Sequence, residues 1–191
     1  MAHNNVEIEI KINVSESIFM RTREKLNKIA TFVKKNRQND AYYMPAHRNF
    51  VELQFPFEWL SIRKRGDAAI LSYKHWYPEN SAVTTHCDEF ETKVENQEQL
   101  EKIFKALDIK PLVAVEKERE VYQFKDEFEI SLDTVKDLGH FIEIESLKDF
   151  GSIEETRQKL FDFARELGVD ASNPDLRGYP YLILKKNGVI K

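Results

Sequence analysis

Near the start of the chain Glu7, Glu9 and Lys11 alternate with Ile8, Ile10 and Ile12. In an extended segment that spacing sends the charged side chains to one face and the isoleucines to the other. The same division returns further on. Arg63 and Arg65 stand against Ile62, Lys74 against Leu71 and Tyr73, and Glu89 and Glu91 against Phe90; Lys117 and Arg119 follow, then Asp133 against Ile130 and Leu132, and Glu143 and Glu145 against Ile142 and Ile144. Clustered carboxylates hold hard divalent cations through oxygen. Arg and Lys pair with phosphoryl oxygens, the first as a fork and the second as a point charge. Together the two sets are the parts of a phosphoryl- or nucleotidyl-transfer site. No Gly-rich P-loop is present, so side chains must replace the backbone cradle.

The elements that carry these residues follow from periodicity. Residues 6–14, 60–65, 69–75, 88–94, 114–124, 127–133 and 140–146 alternate as strands, with 40–43 a shorter candidate. Three segments have helical spacing. Ser15 caps a helix whose face carries Ile18, Thr22, Leu26 and Ile29; Asn96 with Gln99 precedes Leu100, Ile103, Phe104 and Leu107; Ser152 with Glu155 opens a third that Gly168 closes. Turn-like connections make the sheet largely antiparallel, an α+β arrangement. The usual meaning of such alternation is an apolar face on the helices and a charged face in water. Segregated acid pairs and base pairs suggest more. In a sheet curled into a barrel with its helices outside, these faces would line a lumen whose like charges repel until a polyanion and divalent cations neutralise them.

Composition narrows the classes. The 191 residues suit one soluble globular domain, here taken as 1–191 with a core of about 6–185. A net charge of −4 argues against coating nucleic acid. No apolar run reaches the roughly 20 residues of a membrane helix, and the polar start lacks a secretory core, so a cytoplasmic protein is expected. With Cys87 the only cysteine, no internal disulfide forms, and the five histidines show no zinc-like spacing with it.

The motifs together resemble the CYTH, or triphosphate tunnel metalloenzyme, superfamily. Glu7-Ile8-Glu9-Ile10-Lys11 matches its ExExK signature. In order there follow Asp40 with Tyr42 and Tyr43, Ser61-Ile62-Arg63-Lys64-Arg65, Ser72-Tyr73-Lys74, Glu89-Phe90-Glu91, Glu116-Lys117-Glu118-Arg119 with Tyr122, Asp133, and Gly139-His140-Phe141-Ile142-Glu143-Ile144-Glu145. Near the end Arg177-Gly178-Tyr179 resembles the family's Arg-Ser-Tyr element. The resemblance implies a closed or nearly closed antiparallel β-barrel of roughly eight strands, a triphosphate tunnel, with helices packed outside. It places phosphate contacts at Lys11, Arg63, Arg65, Lys74, Lys117 and Arg119, with Arg177 and Tyr179 near substrate. Metal ligands fall at Glu7, Glu9, Glu143 and Glu145, with Asp133 a further contributor. Glu7, Glu9, Lys11 and Lys74 are the catalytic candidates, while Glu89 and Glu91 lie beside substrate in a strand whose role varies. Two positions depart from the family: Cys87 stands where an Arg is common, and Gly178 replaces Ser.

The implied cofactor is Mg²⁺ or Mn²⁺, and the implied activity is that of a class IV adenylyl cyclase, converting ATP to cyclic AMP and pyrophosphate. Hydrolysis of thiamine triphosphate or inorganic tripolyphosphate is the alternative, and a non-catalytic nucleotide- or polyphosphate-binding module a further one. Partners are the triphosphate itself, with no membrane or nucleic acid; a homodimer is left open. Several residues have plainer readings. His47 and Arg48 belong to a solvated loop, Trp59 and Trp76 to packing rather than to stacking on a base or thiamine ring, and Cys87 to a buried spectator. Tyr179 and Tyr181 close the tunnel or tie down a last strand, and Lys185-Lys186 is a solvated end.

Overall fold

The computed structural model describes residues 6–65, 68–172, 174 and 177–190, with Arg65 described in its backbone alone. Along the chain run β1 (Val6–Glu7), β2 (Glu9–Val14), α1 (Glu16–Ile29), β3 (Thr31–Met44), β4 (Glu58–Arg65), β5 (Ala68–Tyr77), β6 (His86–Val94), α2 (Gln97–Ala106), β7 (Lys110–Phe124), β8 (Phe128–Val135), β9 (Gly139–Ser146), α3 (Ile153–Leu167) and α4 (Gly178–Lys186). They form two compact units, one of Met1–Asn36 with Lys117–Leu176 and the other of Arg37–Glu116 with Arg177–Lys191.

In the first unit the strand order is β7-β8-β9-β2, with antiparallel pairing wherever the register is defined. Lys11 lies opposite Glu143 and Glu9 opposite Glu145; Glu129 lies opposite Glu145 on the other side of β9, and Arg119 opposite Asp133. The pleat then gives every second residue of all four strands to one charged face. The other face is apolar. Ile10, Ile130, Ile142 and Ile144 are fully buried against Phe19 and Leu26 of α1 and Leu160, Phe163 and Leu167 of α3. Each such side chain contributes about 1.5–3 kcal/mol of burial, so this core fixes the register that aligns the charges on the opposite side. Caps set the helix limits: Ser15 accepts from the Ile18 amide, Ser152 and Glu155 form a complete capping box, and Gly168 ends α3 with φ 82°.

The second unit orders its strands β3-β4-β5-β6, again antiparallel. Here α2 covers the apolar face, Phe104 packing edge-on to Tyr43 at 5.0 Å beside Ile62 and Ala69. Its start is capped as expected, Asn96 accepting from the Gln99 amide at 3.0 Å.

Four expectations are corrected. The described chain has nine strands rather than eight, because Ile8 belongs to neither β1 nor β2 and the first segment divides there. The short 40–43 candidate is the end of a strand that begins at Thr31; residues 31–35 are exposed on both faces, so burial leaves no alternation there. The last element is a helix and not a strand: Tyr179, Pro180, Tyr181 and Leu184 form its buried face, with Pro180 in the first turn, where its missing N–H costs nothing. On α1 the buried face is Phe19, Thr22 and Leu26, and Ile29 is exposed.

Candidate active site

The charged face of the first unit holds a continuous chain of ion pairs. Lys11 Nζ lies 3.0 Å from Glu9 Oε1 and 3.0 Å from Glu143 Oε2. The second oxygen of Glu143 accepts from Arg119 Nη2 at 2.9 Å. Arg119 also donates to Asp133, from Nε at 2.7 Å and from Nη2 at 2.6 Å, and Lys117 Nζ donates to the same carboxylate at 3.0 Å. Lys11, Lys117, Glu9, Glu143 and Asp133 are all buried. The alternation seen in the sequence thus brings residues from four strands into one network, and the register decides which acid meets which base.

Burial works against the charge on Lys11, but Glu143 and Glu9 outweigh it and hold the ammonium's pKa above the ordinary lysine value. For Asp133 burial again favours the neutral form, and the Arg119 and Lys117 cations outweigh it, keeping the carboxyl below its usual range. Lys11 and Asp133 are thereby held in their charged forms at neutral pH, each balanced by neighbouring charges rather than by water.

Glu7 and Glu145 are half-buried at the ends of β1 and β9. One residue that the sequence reading missed is Glu129. It shares the parity of Asp133 on β8 and sits opposite Glu145. Burial raises its pKa; Arg119 and Lys34 pull it down less strongly, and Glu143 and Glu7 push it further up. The signal was present, since residues 129 and 133 of one strand share a face, but it was overlooked beside the apolar Ile130 and Leu132.

In the second unit Arg63 is the hub. Its Nη1 donates to Glu89 at 3.1 Å and Glu91 at 2.8 Å, and its Nε lies 3.7 Å from Asp40. Burial opposes its charge, but Asp40, Tyr42, Glu89 and Glu91 raise its pKa overall. Glu89 also takes Lys74 Nζ at 3.4 Å and the Ser72 hydroxyl at 3.2 Å. Tyr42 meets Trp59 edge-on, and Lys74 lies over the Trp76 ring. Arg177 donates to the Tyr181 hydroxyl at 3.0 Å and stacks over its ring, while Tyr179 is buried in α4. The side chain of Arg65 lies outside the described residues. Arg48 pairs with Glu58 at 2.9 Å, and Cys87 is fully buried.

For a metal ion, the first unit's donors have the right chemistry. Glu9 and Glu143 each aim one oxygen at the same ammonium, so they already present oxygens to a common cation, and an oxygen-only set suits Mg²⁺ or Mn²⁺. Among the described residues no three His, Cys, Asp or Glu side chains are gathered to hold a metal. Lys11 and Arg119 engage the carboxylate oxygens instead.

Comparison with known proteins gives a concordant picture. Residues 5–179 match the family model of the CYTH domain. A protein of Methanocaldococcus jannaschii, named as a candidate adenylate cyclase, is 30% identical over 176 residues, covering 91% of this chain and 96% of that one. The solved PH1819 protein of Pyrococcus horikoshii is 32% identical with a TM-score of 0.78, covering 94% of this chain and 99% of that one. The α+β antiparallel fold expected from the sequence is shown by that likeness. A Hippeastrum protein, whose structure is described as that of a candidate adenylyl cyclase with a dominant triphosphatase activity, shares the fold at 17% identity and a TM-score of 0.64, covering 96% of each chain. No helix of the described residues is long and apolar enough to cross a membrane.

Proposed function

We propose that this chain, which belongs to the CYTH domain family, is a metal-dependent enzyme that processes a nucleoside triphosphate, with adenylyl cyclase chemistry as its reaction. The observation that carries the reading is the buried network Glu9-Lys11-Glu143-Arg119-Asp133-Lys117. Five of the six groups are buried, and their mutual pairing offsets the cost of leaving water without the gain that apolar residues would bring. A ligand that uses the charges gives the arrangement a purpose. A divalent cation held by Glu7, Glu9, Glu143 and Glu145 would supply charge neutralisation at the phosphoryl oxygens. Lys11, Lys117 and Arg119 bind and orient those oxygens, and Asp133 keeps Lys117 and Arg119 aimed by occupying their other donors. Arg63, Arg65 and Lys74 form the second unit's phosphate-binding set. In the cyclase reaction the 3′ hydroxyl of ATP gives up its proton to water and its oxygen bonds to the α-phosphorus as the bond to pyrophosphate breaks, and fixed cations favour the charge that develops on the phosphate oxygens. The name borne by the M. jannaschii relative supports this choice.

The exchange of partners gives the site an internal logic. Without ligand, Lys11 and Arg119 neutralise Glu9 and Glu143. When a triphosphate draws the two cations onto its oxygens, the carboxylates are released for the metal. Metal and triphosphate therefore assist each other's binding.

Incubating the protein with ATP, thiamine triphosphate and tripolyphosphate, each with Mg²⁺ or Mn²⁺, tests the reading by its products. Cyclic AMP with pyrophosphate is expected from ATP. Phosphate without cyclic AMP would move the reaction to hydrolysis, with water as nucleophile at the same residues, and no turnover of any triphosphate would leave only a binding module. Glu9→Ala should lower turnover at least about a hundredfold while the circular dichroism spectrum is retained.

A further inference from the structure

In the second unit Trp59 shares a face of β4 with Ser61 and Arg63 and stands opposite Lys74 of β5. Only 4% of it is exposed. Its indole N–H is fully buried, yet among the described residues no acceptor meets it. Buried indole donors ordinarily find a partner, because the donor has given up water and gains nothing in exchange. Plain packing accounts for the ring but not for this nitrogen.

The surroundings narrow what the missing acceptor is. Tyr42 abuts the indole edge-on, with ring centroids 5.9 Å apart. At the neighbouring position on β5 the Lys74 ammonium lies over Trp76, 5.7 Å from its centroid. Gly178, at φ +84°, brings the start of α4 beside the indole without a side chain; a Cβ there would lie 3.8 Å from Nε1. These neighbours are largely aromatic and apolar, and the unmatched donor is neutral. A phosphate in contact with them would lose more hydration than one neutral N–H restores, and the cations Arg63 and Lys74 are the better hosts for it. A planar heterocycle or sugar bearing a neutral acceptor suits the arrangement, since such sites combine apolar walls with a few placed polar groups.

We propose that Trp59 is a specificity-determining residue whose indole N–H donates to an acceptor atom on the organic group of the substrate, so that nucleoside triphosphates are preferred over inorganic tripolyphosphate. This rests on the triphosphate-processing reading above and adds to it the recognition of what the phosphates are attached to.

Calorimetric titration with α,β-methylene-ATP and with tripolyphosphate, both in Mg²⁺, separates the two ideas. Trp59→Phe keeps the aromatic bulk and removes the donor. It should weaken the nucleotide about 3- to 10-fold, the scale of one hydrogen bond, and leave tripolyphosphate unchanged. A second measurement uses the unmutated protein: the Trp59 indole ¹H–¹⁵N resonance, assigned with Trp76→Phe, should move downfield with the nucleotide and stay in place with tripolyphosphate. Equal losses for both ligands, no loss for the nucleotide, or an indole resonance that ignores the nucleotide would overturn the assignment while leaving the enzyme reading intact. If the unmutated protein binds neither ligand, both the enzyme reading and this assignment fall.

Discussion

The two units carry charged faces of different character. In the first, the side chains of Lys11, Lys117 and Arg119 are 6%, 2% and 12% exposed, and each is held by carboxylates on its own or a neighbouring strand. In the second, Arg63 and Lys74 are 18% and 17% exposed, and Glu91, one of their acids, is 39% exposed. The first face has acids and bases in alternation, with Phe141 opposite Asp133. Trp59, Trp76 and Tyr42 accompany the second. The contrast teaches that one repeated sequence pattern serves two purposes. Where both faces of the sheet are buried, the charges must neutralise one another and exchange partners only with a ligand that supplies equivalent charge. Where solvent reaches them and aromatic rings stand beside them, they are suited to binding that adjusts to the attached group.

Stability gives the largest expected difference between the two faces. Asp133→Asn removes the carboxylate that holds both Lys117 and Arg119, and chemical denaturation at pH 7 should show a loss of about 3–5 kcal/mol. Glu91→Gln, at the exposed end of the second cluster, should cost no more than about 1 kcal/mol. The Asp133 contribution has a definite pH signature. Its folded carboxyl lies below the usual range, so the stabilisation is present above the unfolded value of roughly 3.9 and is lost as pH falls through the folded one. The acid limb of stability should therefore flatten in Asp133→Asn. An unchanged limb would show that the network does not stabilise the fold.

Metal affinity sharpens the comparison next. Lys11→Met takes away the ammonium shared by Glu9 and Glu143. Electron paramagnetic resonance should then show Mn²⁺ binding about tenfold tighter than in the unmutated protein when no triphosphate is present, the size of a modest coupling energy. Arg63→Met should leave Mn²⁺ affinity within about twofold, because Glu89 is still held by Lys74 and Ser72. Equal gains from both substitutions would erase the distinction between the units.

The smallest effect concerns Glu129. Its pKa is raised by burial and by the neighbouring acids Glu143 and Glu7, so its ionisation opposes folding above that value and has no effect below the unfolded one. Glu129→Gln should raise the melting temperature of the metal-free protein at pH 7, with the gain vanishing near pH 4. A lower melting temperature at pH 7 would contradict the picture of Glu129 as a carboxylate whose burial outweighs its cationic neighbours.

Much of this was legible before any coordinates. Alternation placed Glu9, Lys11, Glu143, Asp133 and Arg119 on charged faces because apolar Ile10, Ile142, Ile144 and Leu132 required burial on the other side. The helix caps at Ser15, Asn96 and Ser152 were equally plain, since side-chain oxygens that satisfy free amides leave a local signature. Less visible were the elements without such a conflict. The first half of β3 is exposed on both faces, and α4 is a short apolar run whose period is blurred by Pro180. Ion-pair partners were not legible at all. Which acid Lys11 meets is set by the β2–β9 register, and register comes from packing many residues away. Trp59 was assigned to packing, and it is buried; that its nitrogen lacks an acceptor is a fact of three-dimensional surroundings.

The most direct test of the exchange of partners is a crystal structure of the protein with tripolyphosphate and Mn²⁺. The result expected is Lys11, Lys117 and Arg119 on phosphate oxygens, with Glu9 and Glu143 released from Lys11 and turned to the metal. An anion bound elsewhere, with Lys11 still bridging Glu9 and Glu143, would contradict it.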